Sequence, residues 1–128
     1  MLDHIGIYVS NLKRSVDFYK AALAPLGVTL IMEVSKEMSG GYEGAGFGSD
    51  NKPYFWIGAG KPGKSHSHVA FLAKDRSAVA AFYEAAMKAG AKDNGLPGPR
   101  PHYHENYFGA FVLDFDGHNI EAVCHKPS

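Results

Sequence analysis

Apolar and polar residues alternate from His4 to Val9, with Ile5, Ile7 and Val9 set against His4, Gly6 and Tyr8. A period of two predicts a strand with two unlike faces. From Leu12 the period lengthens, and Leu12, Val16, Tyr19 and Leu23 recur at helical spacing. They give one apolar stripe, with Asn11 as the N-cap and Pro25 and Gly27 as the stop. The pattern then returns. Val69, Phe71 and Ala73 alternate with His68, Ala70 and Leu72; Asp75 caps a stripe through Val79, Phe82 and Ala86; Gly90 stops it.

The second occurrence is the first displaced by 64 residues, half the chain's 128. His4 falls on His68, Asn11 on Asp75, Phe18-Tyr19 on Phe82-Tyr83 and Ala21-Ala22 on Ala85-Ala86. An internal repeat of this kind is a duplicated structural unit. Further strands are expected at Val28 to Val34, Tyr42 to Gly48 and Tyr54 to Ile57. In the second half they are expected near Ala91, at Tyr107 to Leu113 and at His118 to Val123. Asp116-Gly117 reads as the turn of a hairpin between the last two. The expected fold is α+β, a single domain over residues 1–128 made of two βαβββ modules, 1–60 and 65–125. The Gly/Pro-rich stretches Ser39 to Gly48 and Asn94 to Pro101 read as loops or irregular edges, and Gly58 to Lys64 as the linker.

Composition narrows the class. Lys plus Arg and Asp plus Glu total 13 each, for a formal net charge of zero, so no nucleic-acid or anionic-membrane partner is expected. No stretch reaches the roughly 18 apolar residues of a membrane span. The first residues lack the basic and apolar regions of a signal peptide, so the expected location is the cytoplasm. The one cysteine, Cys124, cannot form an internal disulfide, which suits a reducing compartment.

The seven histidines bear on chemistry through where they fall. If the apolar set of each first strand faces its helix, His4 and His68 face the other way. First strands lying side by side would bring the two rings together. Glu121 lies between Ile120 and Ala122 in an apolar strand, where a lone carboxylate is costly without a cation or a proton. Two imidazoles and a carboxylate suit one divalent ion (zinc, iron(II), nickel or manganese), with positions left for water or substrate. His118, beside the turn, and His125, near the terminus, are expected to be solvated. His66 is a back-up ligand or a strand-end residue. The DFDG run lacks the further spaced acids of a calcium loop and reads as a turn.

Three segments in order, LDHIGIYVSNLKRSVDFY, HSHVAF and FGAFVLDFDGHNIEAV, resemble the vicinal oxygen chelate superfamily. This is the group of glyoxalase I, extradiol dioxygenases, fosfomycin-resistance enzymes and bleomycin-resistance proteins. The resemblance implies tandem βαβββ modules whose curved mixed sheets surround a metal-binding cleft. It implies ligands from the first and last strand of each module, which gives His4, His68 and Glu121 as metal ligands. The fourth ligand place falls at Trp56 or Ile57, neither of which can coordinate, whereas glyoxalase I usually has a carboxylate there.

The implied function is a metal-dependent lyase, isomerase or extradiol-type dioxygenase acting on a small substrate chelated through adjacent oxygens. The alternative is a bleomycin-resistance-like protein that sequesters a ligand without catalysis. For catalysis the candidates are Glu121, His102, His104 and Tyr107; for substrate binding, Arg100, Tyr103 and Trp56. A homodimer is implied, since many short members pair and some share sites across the interface.

Overall fold

Both strand–helix units predicted from the repeat are present, and each closes a four-stranded sheet. The computed structural model describes residues 1–127. The first unit runs β1 (Ile5–Val9), α1 (Leu12–Leu23), a 3-10 turn (Ala24–Leu26), β2 (Thr29–Val34), the short α2 (Lys36–Ser39), β3 (Gly44–Ser49) and β4 (Lys52–Ala59). The second runs β5 (His68–Leu72), α3 (Arg76–Lys88), β6 (Lys92–Pro99), β7 (Phe108–Leu113) and β8 (Asn119–Cys124). The strand orders are β1-β4-β3-β2 and β5-β8-β7-β6. In each sheet the first strand runs parallel to the last, and the other pairs are antiparallel.

The helices start where the caps predict. The Asn11 side chain accepts from Arg14 N at 3.1 Å, and that of Asp75 from Ala78 N at 2.8 Å. The strand expected at Tyr42 to Gly48 is present within a stretch also read as an irregular edge, and Asn94–Pro101, read as a loop or irregular edge, contains strand too. Gly44–Ser49 is β3, and its glycines leave room for the rings of Tyr42 and Trp56: a Cβ on Gly46 would stand 2.8 Å from Trp56. Most of Asn94–Pro101 belongs to β6, an edge strand with two register shifts, where proline and glycine are tolerated. The linker starts later than expected, because β4 continues to Ala59.

The inner faces of the two sheets, with Ile7, Val9, Phe55 and Ile57 from one and Val69, Phe71, Ile120 and Ala122 from the other, share a single core with both helices. Helices α1 and α3 pack against each other. Phe55 and Phe71 meet edge to face at 5.1 Å between ring centres.

Polar ties also join the units. The Tyr19 hydroxyl donates to the buried Asp114 at 2.6 Å. Burial, reinforced by that carboxylate, pushes the Tyr19 hydroxyl well above the ordinary phenol range.

His118, expected in solvent, is buried at 3% exposure. Its Nδ1 accepts from Ser67 N at 3.1 Å, so the neutral ring carries its proton on Nε2 and donates it to the Tyr8 carbonyl at 2.9 Å. Both ring nitrogens thus replace the water that the sequence position suggested. His118→Ala leaves those backbone groups without partners and is expected to cost about 1–3 kcal/mol. Urea unfolding measures this; a change within about 0.5 kcal/mol would contradict it.

The same tie orients the seam between the edge strands β1 and β5. Ser67, just before β5, is bound through His118 to Tyr8 near the end of β1, while Phe55, paired with Ile5 at the start of β1, meets Phe71 near the end of β5. The two strands therefore pass each other in opposite senses. His4 and His68, each at the start of its strand, stand toward opposite ends of the seam.

Candidate functional site

The second sheet gathers three of the candidate side chains. Glu121 pairs with Ala70 of β5 and Phe111 of β7, and its carboxylate projects from the face away from the helices at 1% exposure. His68 Nε2 lies 2.9 Å from Oε1. The Tyr107 hydroxyl donates to Oε2. Gly109 makes that approach possible, since a Cβ there would stand 3.2 Å from the Tyr107 ring and 3.4 Å from Oε2. Burial first, and then the Glu121 carboxylate, push the Tyr107 hydroxyl well above the ordinary phenol range, so it remains a donor. The buried acid predicted to need a partner has one on each oxygen.

Tyr107 closes a folded excursion between β6 and β7, held by Arg100 N to Tyr107 O at 2.7 Å and Tyr103 N to Arg100 O at 2.9 Å. Its ring packs on Tyr103, His104 and His125 at 4.9, 5.4 and 5.3 Å between centres. His104 Nε2 and His125 Nδ1 are 2.7 Å apart, so exposed His125 anchors this segment rather than pointing freely into water. His102 packs on Tyr103. Arg100 directs its guanidinium to the carbonyls of Leu96, Gly98 and Pro99 and over the Phe111 ring.

The first sheet carries the other half. His4 Nδ1 bonds Asp3 Oδ2 at 2.6 Å, and Asp3 Oδ1 bonds Lys52 Nζ at 2.6 Å. His4, Gly6, Val34, Tyr42 and Trp56 line a shallow hollow of about 360 Å³. Strand register settles which residue matches Glu121. Ala70 pairs with Glu121, and its repeat mate Gly6 pairs with Trp56. Trp56 is therefore the register counterpart of Glu121, one residue out of step with the 64-residue shift, while Ile57 faces the core.

His4 and His68 both border a cleft of about 610 Å³ that is also lined by Phe55 and Phe71. They do not converge on one point. Among the described residues no three His, Cys, Asp or Glu side chains of one chain stand close enough to hold an ion. The sequence reading missed Asp3 and Lys52. Asp3 has a signal, as an acid next to a candidate ligand; Lys52, 49 residues away, has none.

The Glyoxalase/Bleomycin resistance protein/Dioxygenase superfamily model matches residues 1–122, and the chain belongs to that superfamily. No functionally curated protein matches it significantly. Among solved structures it is similar to a glyoxalase/bleomycin resistance protein from Albidiferax ferrireducens T118, at 25% identity and TM-score 0.73, covering 99% of both chains. It is also similar to a glyoxalase I mutant from Zea mays, at 26% identity and TM-score 0.73, over 95% of this chain and 45% of the maize one. The fold matches a mutant of the genomically encoded fosfomycin resistance protein FosX from Listeria monocytogenes, at 18% identity and TM-score 0.69, over 98% of this chain and 93% of that one. That FosX structure holds manganese(II) and 1S,2S-dihydroxypropylphosphonic acid. No helix among the described residues is long and apolar enough to cross a membrane.

Proposed function

We propose that the protein is a metal-dependent enzyme of the glyoxalase type, acting on a small substrate with adjacent oxygens, and that its ion is held by His68, Glu121 and His4. The observation that carries this reading is the buried Glu121 carboxylate with His68 Nε2 at 2.9 Å. Ligand distances of about 2.0–2.2 Å leave two neighbouring donors on one ion roughly this far apart. Such an ion supplies Lewis acidity toward developing negative charge on the substrate.

The chain's own residues do the rest. Tyr107 fixes the Glu121 carboxylate by donating to Oε2, and the Tyr103–His104–His125 cluster holds Tyr107 in place. His102 and His104 are the groups able to move protons beside the site. Arg100 shapes this segment through its carbonyl contacts. Trp56 offers an uncharged ring where a fourth ligand would stand.

His4 comes from a second copy. Within one chain the seam separates it from His68, and both outer sheet faces are exposed, with Leu72 at 72% and Tyr8 at 54%. A homodimer covering those faces places one chain's His4 against its partner's half-site, with two equivalent sites per dimer.

Metal analysis of protein purified without a histidine tag tests this reading. About one ion per chain is expected, lost in His4→Ala and in His68→Ala. The hemithioacetal of methylglyoxal with glutathione, and catechols, are the first substrates to assay with that metal. Trp56 and the fully partnered Glu121 favour a second reading, metal-free sequestration of a ligand. Less than about one-tenth of an ion per chain, unchanged by the two histidine variants, would support it instead.

A further inference from the structure

The Lys52–Asp3–His4 chain lies outside the Glu121 cluster and has no part in the core. All three side chains are more than half exposed, and exposed pairs of this kind add little stability. Its geometry is nonetheless specific. Each Asp3 oxygen has a single partner, His4 Nδ1 on Oδ2 and Lys52 Nζ on Oδ1, both at 2.6 Å. Asp3 faces the Lys52 ammonium as a carboxylate, and a carboxylate can only accept. His4 Nδ1 must therefore carry a proton, and in the neutral ring Nε2 carries the lone pair. Lys52 reaches Asp3 from the tight β3–β4 turn, where Asp50 and Asn51 take left-handed backbone angles (φ 52° and 60°).

We infer that Asp3, steadied by Lys52, is the positioning residue of His4: it locks the Nδ1–H tautomer and presents Nε2 as a ready donor. A carboxylate bound to the far nitrogen of a ligating histidine fixes ring orientation and raises basicity. The tautomer follows from the contacts alone; its use in holding the ion rests on the proposed function.

The test is nitrogen-15 NMR of the His4 ring in metal-free protein, at a pH well above the ordinary imidazole range, together with zinc titration. Wild type is expected as Nδ1–H. In Asp3→Ala the ring reverts to the Nε2–H form that free neutral histidine favours, and zinc affinity falls about 10–100-fold. Asp3→Asn, whose carbonyl can still accept, gives intermediate values for both. Nε2–H in wild type, an unchanged tautomer in Asp3→Ala, or zinc affinity unaffected by that variant would each overturn the inference. If wild type binds no zinc while the tautomer still follows Asp3, the metal reading fails and the positioning of His4 stands.

Discussion

Glu121→Gln is expected to reduce bound metal from about one ion per chain to less than one-tenth while the chain stays folded. The amide keeps the volume of the buried side chain and can still accept from Tyr107. It loses the negative charge that a divalent ion needs and turns an N–H₂ toward one of its two partners. Activity on any chelated substrate falls with the metal. Metal analysis beside far-ultraviolet circular dichroism reads both effects. Retained metal in a folded Glu121→Gln protein would remove Glu121 from the ligand set.

Phe55→Ala is the largest stability effect expected, about 3–5 kcal/mol. The ring is 1% exposed and meets Tyr19 at 5.2 Å and Phe71 at 5.1 Å between centres. It thus joins sheet to helix within the first unit and spans to the second. Little can move in to fill the space, because the neighbouring rings are themselves fixed, Tyr19 by its bond to Asp114. Urea unfolding gives the value. A loss under about 1 kcal/mol would mean that the two units do not share this contact in solution.

Much of the fold is legible in residues that act locally. The strand at Ile5 to Val9, the caps at Asn11 and Asp75 and the glycine stops depend on side chains within a few positions of one another, so periodicity reveals them. β6 is harder, because its Gly95 lies against the Phe111 ring of the neighbouring strand and its pairing shifts register twice. His118 looks like a turn residue in sequence. Its partners are the Tyr8 carbonyl and the Ser67 amide, and the first of these is not foretold by any local pattern.

The site divides the same way. Glu121 stands out because an acid in an apolar strand needs a partner, and His68 follows from the repeat. The repeat also marks His4, yet symmetry between two strands does not say whether they run past each other in the same sense. The Tyr8–His118–Ser67 tie reverses them, and so parts His4 from His68 within the chain. The register that places Trp56 beside Gly6 is likewise a tertiary fact, resolved by strand pairing rather than by counting 64 residues along the sequence.

That separation makes subunit mixing the most direct measurement of a shared three-ligand site. His4→Ala and Glu121→Ala proteins, each expected to bind almost no metal, are unfolded together, refolded in equal amounts and analysed for bound ions. With sites shared across a dimer, about half of the dimers are hybrids with one intact site, which restores about a quarter of an ion per chain. No recovery from a mixture shown to contain hybrid dimers would contradict a site built from His4 of one copy and His68 with Glu121 of another.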